Sequence, residues 1–242
     1  TKPLKIIEPP VTVDTSFFAK GADIGWLSEM EAAGVKFYLS SGIEADCITV
    51  LKSKGINSLR FRVWVDPENG WCGQADVVKM AVRAKNAGMR VMINFHYSDS
   101  WADPAKQNKP LAWANHTVAQ LKQDVYNHTF DVISALKQAG VTPEWVQVGN
   151  EIPGGMLWPE GSTNNWSQLA QFLNSGYDAV KAVDSKIKVV VHVDEGNNNA
   201  KFRWFFDAAT AQNVKYDIIG LSYYPYWIQK DYTQTIADLS TN

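Results

Sequence analysis

Apolar positions along the chain alternate between two spacings. Short runs rich in Val, Ile and Phe read as buried parallel strands at Gly21–Ile24, Ser58–Trp64, Arg90–Phe95, Trp145–Gly149, Lys188–Val193 and Asp217–Ser222. The stretches between them carry a helical repeat, over Ile43–Lys54, Ala75–Ala87, Thr117–Ala139, Ser167–Val183 and Ala200–Gln212. One phrase punctuates the alternation: a helix end, a glycine, an apolar residue, then a strand or extended run. It stands in "EAAGVKF", "KSKGINSLRF", "KNAGMRVMINF" and "KQAGVTPEWVQV". Glycine closes helices in this way because it takes a positive φ without a Cβ penalty.

Strands that alternate with helices build a parallel sheet with right-handed crossovers, either open or closed into a (β/α)8 TIM barrel. No GxGxxG or GxxxxGK[ST] phosphate signature is present, which weakens the nucleotide-binding open sheet. Polar and aromatic residues instead gather at the C-terminal end of strand after strand: Arg62 and Trp64, His96 and Asp99, Asn150 and Glu151, His192 and Asp194, Tyr223 and Tyr224. They converge on one mouth only if the sheet closes, and that mouth is where barrel enzymes work. A barrel is therefore expected, with residues 1–18 as a polar, Pro-containing lead-in and 19–242 as the catalytic domain. The pattern yields six strands where a barrel has eight, so the sequence is expected to cover the first six strand–helix units.

The bulk numbers narrow the partners. With 23 basic and 25 acidic residues the net charge is −2, which gives no electrostatic reason to expect nucleic acid. No apolar run is long enough for a spanning helix. Ten tryptophans, nine tyrosines and ten phenylalanines are more than a core demands, and Trp71, Trp101, Trp113, Trp158 and Trp227 lie in loops after strands. Flat rings there suit the apolar faces of sugars, although about half should simply pin their own loops. Cys47 and Cys72 make no disulfide framework; a pair between them and two buried thiols both stay open. No HxH, HExxH or CxxC spacing supports a metal site, and none is expected.

Glu151 is the first candidate for chemistry. Strand alternation should carry Gln147, Gly149 and Glu151 inward together. A carboxyl group in an aromatic, partly dry cleft suits a general acid; the plain alternative is that Asn150-Glu151 caps a turn. Glycoside hydrolysis requires a second carboxylate, and Asp99, Asp103, Asp194 and Glu195 all stand less cleanly at a strand end. Arg60 and Arg62 share a face, so one of them should brace a carboxylate, with an Asp23 pair as the structural option for Arg60. His96 and His192 read equally as sugar contacts or as satisfied core residues.

The segments "LRFRVWVDPENG", "VMINFHYSDSWADPAKQNKP", "WVQVGNEIPGGMLWP" and "LSYYPYW" resemble the endo-β-1,4-galactanases of glycoside hydrolase family 53, a group of retaining barrel glycosidases. The resemblance runs from about Gly21 to Trp227. It implies that Glu151 is the acid/base and that Asn150 contacts the sugar 2-hydroxyl. It implies that Arg62 supports the nucleophile, and that His96, His192 and Tyr224 line the same subsite; Asp99 and Trp101, in the loop after the third strand, are expected as further substrate contacts. The family's nucleophile is a glutamate ending the seventh strand, which is expected beyond Asn242, as are the loops that hold a calcium in some members. No cofactor is carried over. The implied substrate is a polysaccharide, β-1,4-galactan in type I arabinogalactan or pectin side chains, cut by a secreted or extracytoplasmic monomer. A non-catalytic carbohydrate-binding barrel and a related glycanase acting on mannan or xylan are the alternatives.

Overall fold

The computed structural model describes residues 18–224, 226 and 232–241. Its main sheet has six parallel strands in sequential order: β1 (Gly21–Asp23), β4 (Ser58–Val63), β5 (Arg90–Phe95), β6 (Trp145–Val148), β7 (Lys188–Val193) and β8 (Ile218–Leu221). Helices α3 (Gln74–Asn86), α4 (Val118–Gln138), α5 (Trp166–Val183) and α6 (Asn199–Ala211) fill the successive crossovers from β4 to β8, and α7 (Tyr232–Thr241) follows β8. Most boundaries fall within a residue of those predicted. The four glycines of the repeated phrase, Gly34, Gly55, Gly88 and Gly140, all take positive φ.

The first crossover departs from expectation. In place of one helix over 43–54, a short helix α1 (Leu27–Ala32) is followed by an antiparallel hairpin, β2 (Phe37–Tyr38) with β3 (Glu44–Ala45), and then by α2 (Cys47–Ser53). Helix α2 starts late because Asp46 caps it, its carboxylate accepting from the Ile48 and Thr49 amides. Ile43 is largely exposed, so the apolar position that suggested a longer helix has no core to face.

The sheet is curled into an incomplete barrel. One cavity of about 420 Å³ touches Ala22, Arg60, Met92, Trp145, Val190 and Gly220, a residue from each of the six strands, as only a curved sheet allows. Outward-facing Leu59, Phe61, Val63, Val91, Ile93, Phe95, Val146, Val148, Val189, Val191 and Val193 are buried and form the core with the helices. Inward positions carry the polar residues: the register sets Arg62 beside Asn94 and Asn94 beside Gln147 in one layer.

Helix α5 holds β6 from behind. Gly176 lets the two approach, because a Cβ there would meet Val148 Cγ1 at 2.7 Å and the Tyr97 hydroxyl at 2.9 Å. Gly176→Ala is expected to cost about 1–3 kcal/mol through overpacking, read as a lower midpoint in chemical denaturation. A wild-type midpoint would show that β6 yields to the extra methyl.

Candidate active site

The strand that leads to the candidate acid ends earlier than alternation predicted. β6 stops at Val148; Gly149 takes φ +84° and Glu151 φ +46°. Two left-handed residues break the pleat, so the inward set is Gln147 with Asn150, and Glu151 reaches the mouth by its backbone twist instead of by period two. Gly149 has to be glycine on two counts: its φ, and a Cβ that would lie 2.9 Å from Ile152 Cγ2. Gln107 holds the turn, its Nε2 donating to the carbonyls of Asn150 (2.9 Å) and Glu151 (3.1 Å).

Asn150 is buried at the centre of a polar network. Its Oδ1 accepts from Arg60 Nη2 at 2.9 Å, Asn94 Nδ2 at 3.1 Å and Gln147 Nε2 at 3.3 Å, and its Nδ2 donates to the Ala102 carbonyl at 2.8 Å. One Nδ2 hydrogen is left for a ligand. Arg60, set aside in the sequence as a structural partner of Asp23, does bind Asp23 at 2.7 Å and also fixes Asn150 and Gln147. Asn94 and Ser222 were missed, although Asn94 stands two residues before His96 on the same inward face.

Glu151 is half-buried on the wall of a mouth cavity of about 500 Å³ that Arg62, Trp101, Asn150, His192, Ser222 and Tyr224 also line. Its Oε1 accepts from the Ser222 hydroxyl at 2.5 Å, and its amide donates to His192 Nδ1 at 3.2 Å. Among the described residues the two carboxylates on this wall are Asp23 and Glu151. Asp194 instead pairs with Lys201 at 2.6 Å, and Asp103 caps the Ala105 amide.

Arg62 is 2 % exposed and caged by indoles, with its guanidinium carbon 4.6 Å from the ring centre of Trp26, 5.2 Å from that of Trp64 and 4.5 Å from that of Trp101. Its Nε and Nη2 have no hydrogen-bond partner among the described residues. A buried cation with open donors beside a cavity is a receptor for an anionic or strongly accepting group.

The histidines sit deeper than a sugar-contact reading requires. His96 is buried, its Nδ1 accepting from the Ala102 amide and its Nε2 beside the Asn94 amide nitrogen. Burial first, then the Arg60, Arg62 and His192 charges, holds it well below the usual imidazole range. His192 is pushed down to about 3 by burial and then by Arg60. Asp99 joins two loops, accepting from the amides of Asp66 and Leu111. Neither His96 nor Asp99 is on the cavity wall.

Among the loop aromatics, Trp101 is 37 % exposed at the cavity, whereas Trp113 is buried and Trp158 bonds its own loop through Gly154. Trp227 and residues 1–17 lie outside the described residues. Cys47 and Cys72 are free and buried, and burial raises the Cys72 thiol to about 11. Among the described residues no group of three His, Cys, Asp or Glu side chains could hold a metal ion, and no helix is long and apolar enough to cross a membrane.

Comparison with known proteins gives a consistent neighbourhood. The model of "Glycosyl hydrolase family 53" matches residues 19–242. An uncharacterised protein from the bgaB 5′ region of Niallia circulans is 42 % identical over 218 residues, covering 87 % of this chain and 60 % of its own length. An arabinogalactan endo-β-1,4-galactanase of Humicola insolens is 38 % identical, covering 86 % of this chain and 64 % of its own. The solved family 53 catalytic domain of Ignisphaera aggregans superposes with a TM-score of 0.86 at 37 % identity, covering 97 % of this chain and 66 % of that one. The chain thus spans about 60–66 % of the length of these three proteins.

Proposed function

Because this chain belongs to glycosyl hydrolase family 53, we propose that the natural protein carrying it is a retaining endo-β-1,4-galactanase whose acid/base is Glu151. The observation that carries this reading is the placement of one carboxyl group, Glu151, on the cavity wall beside a pinned Asn150, an exposed Trp101 and a buried arginine with open donors. A relative named for galactan hydrolysis supports the polymer. Residues 19–242 belong to the catalytic domain, after a lead-in of 1–18, and the protein acts as a monomer outside the cytoplasm, where the polymer is.

In this mechanism the galactosyl ring lies against Trp101, with Asn150 Nδ2 donating to its 2-hydroxyl. Glu151 delivers its proton to the glycosidic oxygen as a carboxylate nucleophile attacks the anomeric carbon, and the aglycone half leaves. Glu151, now ionised, takes a proton from water, and the hydroxyl so formed releases the sugar with its original anomeric configuration. Arg62, whose Nε and Nη2 have no hydrogen-bond partner among the described residues, supports the nucleophile. Asp23 is already held by Arg60, so no residue of this chain is assigned as the nucleophile.

The test uses the natural protein on β-1,4-galactan, mannan and xylan, with products followed by proton NMR. Reducing ends should appear from galactan at least about a hundredfold faster than from the others, with the β anomer first. Release from mannan or xylan instead would move the enzyme to another polymer. Galactan binding without release would make it a carbohydrate-binding barrel.

A further inference from the structure

We propose that Ser222 is a positioning residue that commits one oxygen of Glu151, Oε1, to the protein and leaves Oε2 as the atom that exchanges the proton. The inference rests on Glu151 being the acid/base. It follows from a chain of donors with only one consistent direction. His192 Nδ1 faces two donors, the Glu151 amide at 3.2 Å and Gln147 Nε2 at 3.1 Å, so it accepts and the ring proton must sit on Nε2. Nε2–H then donates to Ser222 Oγ at 2.9 Å. With that lone pair taken, the single hydroxyl proton of Ser222 is free to point at Glu151 Oε1, 2.5 Å away.

The backbone holds this relay in place. The Ser222 amide donates to the Val193 carbonyl at 3.1 Å, the Ser222 carbonyl accepts from Gly196 at 2.8 Å, and the His192 carbonyl accepts from Ile152 at 3.0 Å. Three segments are thereby locked at the point where their side chains meet: the end of β8, the end of β7 and the turn after β6. The imidazole stays neutral because it is buried, so the relay does not reverse over the range in which glycosidases work. No net proton passes along it. Oε2–H gives its proton to the leaving oxygen and Oε2 recovers one from water, while Ser222 and His192 keep theirs.

A donor on Oε1 holds the carboxyl group in one orientation through both steps. The other charged or titratable groups on this wall among the described residues are Asp23, Cys47, Arg60, Arg62, His192 and Tyr224, and Asp23 is paired with Arg60 at 2.7 Å and Arg62 at 3.8 Å. Ser222→Ala removes the one hydroxyl that bonds the Glu151 carboxylate among the described residues. In the natural protein Ser222→Ala should lower kcat for galactan about tenfold with KM little changed, and Ser222→Thr, which keeps the hydroxyl, should restore it.

Long-range proton–nitrogen NMR on this chain supplies a readout independent of activity, and should find His192 protonated at Nε2. A ring protonated at Nδ1, or a Ser222→Ala variant with the wild-type kcat, would overturn the proposal. Glu151→Ala separates the two levels of the argument. If that variant is dead and Ser222→Ala behaves as wild type, only the positioning role fails. If Glu151→Ala retains activity, the acid/base reading fails first.

Discussion

Glu151→Ala is expected to lower turnover of β-1,4-galactan by about a thousandfold, within the range that a positioned general acid supplies. The galactosyl leaving group is a poor one, so without a proton from Glu151 the glycosidic oxygen departs as an alkoxide. An aryl galactoside with an acidic phenol leaves without protonation. With that substrate the first step should survive in the variant and the second should slow, because no base remains to activate water. A burst of phenol followed by a slow steady phase is the expected trace. The fold should be intact: the Glu151 side chain bonds Ser222 at the surface of the cavity, and the contacts that hold the turn run through its backbone to Gln107 and His192. Wild-type rates on both substrates would remove Glu151 from the mechanism.

What the sequence showed of this site follows from which forces are local. Strand positions and the helix-ending glycines are set by burial period and by φ, both readable residue by residue, and the parallel sheet came out strand for strand. The direction of Asn150 and Glu151 was not readable. It depends on two left-handed residues in succession, Gly149 and then Glu151 after one intervening position, and only the glycine announces itself in a sequence. Arg60 and Arg62 share a face and a residue type, so period two cannot rank them. Their division of labour is tertiary: Arg60 reaches Asp23, Gln147 and Asn150, and Arg62 is walled by three indoles from separate loops. Ser222 went unnoticed between a strand and two tyrosines, since a serine has no local signal and acquires its role from His192 on the neighbouring strand. The hairpin at 37–45 was hidden for a related reason, because two-residue strands carry too little pattern to register.

The buried histidines give this chain a steep loss of stability between about pH 6.5 and pH 4, and it is the largest stability effect expected here. Burial holds His192 down to about 3, His128 down to about 4, and His96 well below its ordinary value. In the unfolded chain each titrates near 6.5. As pH falls through 6.5 the unfolded state takes up protons that the native state refuses, so the native state loses about 1.4 kcal/mol per pH unit for each histidine. The loss ends only when the folded value of that group is reached. His192 and His128 together make about 3 kcal/mol between pH 6.5 and pH 5, a large part of the stability of many domains, and His96 adds to the loss in the same direction. The carboxylates do not confuse this window. Asp46, Asp184 and Asp217 are all lowered from 3.8 in the fold, so what they contribute is lost below that pH. Urea midpoints measured from pH 7.5 to pH 4.5 should therefore fall steadily below about 6.5. His128 offers the cleanest control, for its Nε2 is buried without a hydrogen-bond partner among the described residues and its ring packs edge-on to Phe95, Tyr97 and Trp113. His128→Phe should make the slope clearly shallower and leave the midpoint at pH 7.5 nearly unchanged. A stability that stays flat from pH 6.5 to pH 5 would mean that these imidazoles reach water, and with it that the polar layer under Glu151 is open in solution.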